Sequence, residues 1–586
     1  MRTSHSSVLL EESRPEREPS DSASASTATT SSGAIISTLT ASSAATTSAP
    51  IPTSQPGSHP PASTTQSSIK QFLQKSLTPA RQNAIDEELA KMVARDFQPF
   101  SIVKDVGFRS YSHALNPMYA VPSRKTLSQK IIPGLYDAAR ASLQERVKRA
   151  SAVCLTTDCW TSRATTSFMS VTCHFIENYS MVSSLLDCFE FSDRHTSENL
   201  AEELLRVARE WGVEHKVVCC VTDNAANITR AIQLLKWTHH PCLAHTINLF
   251  VRNALRAMKP TVDKVKAIVE FFHRSTAATQ KLKSTQRQMS MVELKLKQEC
   301  VTRWNSTFHM IQRTLESKDA VIATLAVINA PVVPLSKEEW EALQEACSVL
   351  EPFDQVTVEI SAERYVTASK MLILCRGLQR VTAEHQSRVT TESVKELVNS
   401  LCSSMDKKFH RMEYNTILSE TTILDPRFKK VAFNDNRAVD EALQRITTAA
   451  LRYGQSSHLQ GGHGGEEGAA ARELEEPQAS AVWRFFEERA SGDTATRNPT
   501  ADAILEVRSY LEEPLFQRSA DPLSWWETRA LIYPHLSHVM ARRLCIVATS
   551  VPSERIFSKT GQIITERRNR ISPAKLRHLV FLNANL

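Results

Sequence analysis

The stretch from Ala152 to Asn227 constrains the fold of this chain more than any other. AVCLTTDCW, SFMSVTCHFIE and MVSSLLDCFEF are three short runs rich in Val, Thr, Phe and Cys, separated by polar or turn residues. That texture reads as three consecutive strands in an antiparallel meander. SENLAEELLRVAREWGV follows as a helix opened by Ser197, with Leu200, Leu204, Leu205 and Val207 on one side. HKVVCCVTDNAAN is then almost continuously apolar up to its aspartate, as in a strand covered on both faces. Three strands, a helix and a further strand make an α/β sheet whose fourth strand is reached by a crossover helix.

The rest of the chain has other textures. Residues 1–66 are dominated by Ser, Thr, Ala and Pro with no apolar period, and such a tail cannot offset its chain entropy by burial. Disorder is expected there. A small helical region is expected over 67–150. Ile85, Leu89, Met92 and Val93 fall three or four apart, and a second helix starts at Ser123 or Thr126. The first part of the sheet domain is assigned to 151–245. From 246 to 524 the helical period dominates, as in KPTVDKVKAIVEFFHRS and EEWEALQEACSVLEPFDQV. It is interrupted by an exposed Gly-rich loop near 454–476, where six of the 14 glycines gather. Residues 525–586 are again helical, with Ser572-Pro573 as a helix start and Leu576, Leu579 and Val580 on one face.

Composition narrows the function. Fourteen glycines in 586 residues argue against a Gly-rich-loop enzyme and a turn-dense all-β fold. A net charge of +7 permits a nucleic-acid partner without demanding one. The 12 cysteines form no CxxC, so no zinc finger is visible. No apolar run reaches about 18 residues, and no secretory leader is recognisable, so an intracellular chain with reduced thiols and no membrane partner is expected.

Asp158 and Asp223 end apolar runs at strand termini, where α/β sheets open into a ligand crevice. Carboxylates so placed can hold a divalent ion or can cap the following turn. Glu554, in SVPSERIF, could be a third ligand or an ordinary first-turn acid favoured by the helix dipole. Cys242 and His245 form a lone CxxH, better read as packed or DNA-facing than as a zinc site. Arg303 and Trp304 combine a cation with a stacking surface suited to a phosphate and an unpaired base, or form a surface Arg beside a core Trp. Arg567, Arg568 and Arg570, with Lys575 and Arg577, form a basic cluster that suits phosphate contact, nuclear import or a solvated helix face.

LTTDCWTS, FMSVTCHFIE, VTDNAAN, PCLAHTINL, TRWNSTFHMIQR, ILDPRFKK and SVPSERIFSKTGQIITERRNRISP occur in this order. In this the chain resembles hAT-superfamily DNA transposases, and among them the host-domesticated BED-finger proteins, although no BED-type ligand set is visible. The resemblance implies a ribonuclease-H-like core interrupted by a large all-α insertion, with a C-terminal dimerisation region that completes the core. It implies that Asp158, Asp223 and Glu554 bind Mg²⁺ or Mn²⁺ as a catalytic triad. It implies that Cys242, His245, Arg303, Trp304, Arg567, Arg568 and Arg570 serve DNA. It places dimerisation in the block containing Trp525, Trp526, Ile556, Phe557, Leu576, Leu579 and Val580. The expected protein is a nuclear, DNA-binding homodimer or higher homo-oligomer derived from a transposase, with no small-molecule cofactor. An active Mg-dependent transposase and a non-catalytic dimeric scaffold are the alternatives.

Overall fold

The computed structural model describes residues 77–162, 165–300, 302–362, 364–460, 499–563 and 571–586. The expected N-terminal tail and most of the Gly-rich loop lie outside these residues.

Five strands form one sheet in the order β3-β2-β1-β4-β5: β1 Val153–Thr161, β2 Ser167–Glu177, β3 Ser180–Glu190, β4 Val217–Thr222 and β5 His239–Pro241. β1, β2 and β3 pair antiparallel, while β4 is parallel to both β1 and β5. The β2–β3 hairpin turns on Asn178 and Tyr179, both in the left-handed region (φ 48° and 53°), as a two-residue turn matched to strand twist requires. The crossover from β3 to β4 is the helix Ser197–Glu210, capped by Thr196 rather than opened by Ser197 at its cap position. Thr196 Oγ1 accepts from the Asn199 amide.

Alternating side chains of the sheet feed two cores. Val153 and Leu155 join Leu200, Leu204 and Val207 of the crossover helix, together with the N-terminal helices Pro79–Arg95 and Ile132–Arg149. Cys154, Cys219 and Val221 face the opposite core, built on Trp525, Trp526, Leu536 and Tyr510. The sheet is therefore covered on both faces, which explains the continuous apolar reading of β4. Each fully buried aliphatic side chain contributes roughly 1.5–3 kcal/mol.

From Leu243 to Ile563 every regular element among the described residues is helical, and a third core runs through the helices between Leu243 and Phe409. The helix Asn436–Gln460 continues through the first seven residues of the expected Gly-rich loop. The C-terminal helix Pro573–Asn585 returns to the sheet. Asn585 closes the edge of β3 by accepting from the Leu185 amide and donating to its carbonyl. Asn583 donates to the carbonyls of Ala94 and Arg95, ending the first helix. Ser572 stands at the cap of this helix with Pro573 next, although its hydroxyl makes no cap bond.

Candidate metal centre

Parallel pairing of β1 with β4 places Thr156 opposite Val221. Two residues further along, the chain reaches Asp158 on one strand and Asp223 just past the end of the other. Asp158 is not at its strand's end but three residues inside it. Its Oδ1 accepts from the Cys159 amide at 2.8 Å. Asp223 Oδ1 accepts from the Ala225 amide at 3.1 Å, with Asn224 between them at φ 68°. Asp223 thus caps the turn into the helix Ala226–Leu234, and the capping role coexists with its place beside Asp158.

Glu554 arrives from the far end of the chain on the helix Val551–Ile563. The segment before that helix is pinned. Ala548 accepts from the Leu243 amide and donates to Thr367 Oγ1, and the Ser550 amide donates to Cys242 Sγ at 3.3 Å. The helix is then seated on the sheet by Ser553. Its hydroxyl lies 3.0 Å from Thr156 Oγ1 and 3.3 Å from Thr172 Oγ1, and those two threonines also bond each other. All three are buried.

The result is electrostatic crowding. Asp158 keeps partial solvent access, yet desolvation by the surrounding protein holds its carboxyl well above the usual range. Asp223 and then Glu554 push it further, against the Cys159 amide. The three acids therefore share one neighbourhood. They do not close on a common point: among the described residues no three His, Cys, Asp or Glu side chains are placed to hold one metal ion. Glu554 Oε2 is instead 3.1 Å from Arg303 Nη2. The donor chemistry fits Mg²⁺ or Mn²⁺, since carboxylate oxygens are what these hard ions take, and a cation would relieve the repulsion at Asp158.

The other expected residues fall in varied places. Cys242 is interior: it caps the helix Leu243–Ala254 by accepting from the His245 amide at 3.4 Å, and burial pushes its thiol up to about 11. Its sulfur is buried and accepts from two amides, so it is not a surface contact for DNA. His245 is partly exposed beside it. Trp304 is 1 % exposed in the helical core, with no ring face open to a base. Arg303 is the exposed member of that pair and reaches Glu554. Trp525, Trp526, Ile556, Leu576, Leu579 and Val580 are all buried within the chain itself, and Phe557 packs partly buried against Trp160. These residues build the fold's interior, so a surface between two copies must come from other side chains. Arg567, Arg568 and Arg570 lie outside the described residues, whereas Arg577 turns inward onto buried Asp187.

Sequence reading missed Ser553, Thr156 and Thr172, which position Glu554; His239, close to the CxxH in sequence, has its Nε2 2.9 Å from Thr222 Oγ1 beside Asp223. The TT of LTTDCW and the Ser of SVPSERIF were visible, but nothing local shows that hydroxyls 397 residues apart will meet.

Three stretches of the chain match known protein families. Residues 156–243 match the ZBED1 RNase-like domain, 240–349 the ZBED1 RNase-like helical domain, and 506–586 the hAT family C-terminal dimerisation region. Over these three stretches the chain is similar to hAT-type proteins. Similar proteins include human zinc finger BED domain-containing protein 4, 26% identical over 85% of this chain and 43% of that protein. The putative AC transposase of Zea mays is 25% identical over 81% of this chain and 61% of its own length. Mouse zinc finger BED domain-containing protein 6 is 24% identical over 86% and 55%. The chain thus spans about half the length of the curated relatives it matches. The dimerisation match begins at 506, ahead of the boundary expected at 525, in the helix Pro499–Glu512, whose Tyr510 stacks on Trp526. No helix among the described residues is long and apolar enough to cross a membrane.

Proposed function

We propose that this chain is a transposase-derived nuclear protein that acts on DNA as a homodimer through a ribonuclease-H-like core interrupted by an all-α insertion. Asp158, Asp223 and Glu554 form its Mg²⁺ or Mn²⁺ centre. The observation that supports the reading best is the shared neighbourhood of three acids, on β1, just past β4 and on the helix Val551–Ile563, with the Asp158 carboxyl raised by desolvation and then by the other two. Bound divalent ions supply Lewis-acid polarisation of a phosphate and activation of water for in-line displacement. The chain's own part is to hold those ions with the three carboxylates, to keep the acids in register through Ser553, and to offer Arg303 as a cation at the rim.

Dimerisation is assigned to the C-terminal region, consistent with the matched profile. Leu531 and Ile532, between the helices Pro522–Arg529 and Pro534–Leu544, are 97% and 61% exposed and are the natural apolar contacts there.

The test is Mn²⁺-dependent nicking of supercoiled DNA by the full chain. Nicking lost in both Asp158→Asn and Asp223→Asn is the expected result. DNA affinity that falls steeply with salt, with no nicking, would leave a DNA-binding dimer without catalysis. No DNA binding at low salt would leave a protein-interaction scaffold.

A further inference from the structure

The ion pair between Arg303 and Glu554 joins two parts of the chain 251 residues apart and engages one of the three proposed metal-binding carboxylates. Its geometry is that of a pivot. Asn248 clamps the backbone on both sides of Arg303, donating from Nδ2 to the Thr302 carbonyl at 3.3 Å and accepting the Trp304 amide on Oδ1 at 3.1 Å. The buried Trp304 ring anchors the next residue, and Asn305 donates to Asp354. Only the Arg303 side chain, 37% exposed, is left able to swing.

A guanidinium and a divalent cation compete for the same carboxylate oxygens. An Arg released from Glu554 finds a better partner in a phosphate, which accepts its forked donors two at a time. We propose that Arg303 is a latch on the metal centre: paired with Glu554 it holds the third carboxylate off the ion, and a DNA backbone phosphate draws it away and completes the site. This rests on the three-carboxylate reading above. The latch accounts for three acids that share a neighbourhood without closing into a metal-holding group. It biases rather than blocks, because an ion pair about a third exposed shifts an equilibrium by about fivefold. By linkage, metal tightens the binding of DNA by the factor with which DNA tightens the binding of metal.

The experiment is Mn²⁺ binding to the full chain, read by electron paramagnetic resonance of the free ion. Without DNA, in about 0.5 M salt to screen distant charge, Arg303→Gln is expected to bind Mn²⁺ about fivefold more tightly than the native chain. Arg303→Lys, which keeps stem and charge but not the fork, is expected in between. In about 0.1 M salt, a short DNA duplex should tighten Mn²⁺ binding by the native chain and much less by Arg303→Gln. Unchanged Mn²⁺ affinity in both Arg303 variants, with binding abolished by Asp158→Asn, overturns the latch and leaves the metal centre standing. Unchanged affinity in Asp158→Asn overturns the three-carboxylate reading itself. Tighter binding in Arg303→Gln with equal DNA coupling in both proteins overturns the release by phosphate.

Discussion

Ser553 Oγ and Thr156 Oγ1 are 3.0 Å apart, and through this contact the helix bearing Glu554 takes its register on the strand bearing Asp158. Thr172 completes a buried trio of hydroxyls. Replacing Ser553 with Ala leaves the two threonines bonded to each other, so the expected loss is only about 1 kcal/mol in urea unfolding. Ser553→Leu must push apart a filled interior, at roughly 1–3 kcal/mol. It should also displace Glu554, so its Mn²⁺ affinity should fall while that of Ser553→Ala stays close to native. Equal Mn²⁺ binding in the two variants would remove the trio from any role in positioning.

A second long-range contact locks the chain's end. Arg577 makes two hydrogen bonds of 2.6 Å to Asp187, which is 1% exposed on β3, and Arg206 stands 3.6 Å away. Burial still holds the Asp187 carboxyl above its usual range, because desolvation outweighs both arginines. Arg577→Met strands that charge and should cost about 3 kcal/mol. Adding Asp187→Asn should recover part of the loss, and a double variant no more stable than Arg577→Met would contradict the assignment.

The order of strands and helices was legible because period, length and residue type agree locally: β1 to β4 fall where their runs of Val, Thr, Phe and Cys fall. Asp223 was legible as a strand-end residue and Glu554 as a helix-start residue, whereas Asp158 lies three residues inside β1. What the sequence could not show is which apolar residues face solvent. Leu576, Leu579 and Val580 have the one-sided spacing of an interface helix, but that spacing is the same whether the facing surface is a partner or the chain's own sheet. Here it is the sheet core. Trp304 reads as a stacking platform by chemistry and is a core anchor by position. Both outcomes depend on contacts hundreds of residues away.

That distinction separates two kinds of variant. Leu531→Glu and Ile532→Glu change exposed side chains and should give folded monomers by sedimentation. Leu579→Glu places a charge at a site 1% exposed and should unfold the protein, losing 3 kcal/mol or more by order of magnitude. A folded, dimeric Leu531→Glu/Ile532→Glu protein would move the interface elsewhere.

Stability should fall in mild acid. His240 is buried on β5, and burial, with His239 beside it, lowers its pKa from 6.5 to about 4. His174, buried on β2, is lowered by burial to about 3. An unfolded chain takes up these protons near pH 6.5 while the folded one does not. The stabilisation is therefore complete above that pH and is lost progressively as pH drops toward the folded values. His240 alone accounts for on the order of 3 kcal/mol by pH 4. His240→Leu should shrink the difference in melting temperature between pH 7.5 and pH 5, and an unchanged difference would show that this ring titrates normally.

The most direct measurement is anomalous diffraction at the manganese edge from crystals grown with Mn²⁺ and a short DNA duplex. The expected result is a peak about 2.2 Å from oxygens of both Asp158 and Asp223, with Glu554 turned from Arg303 toward it. Saturating Mn²⁺ that leaves no peak between those two aspartates, or that sits on other side chains, would contradict the metal centre.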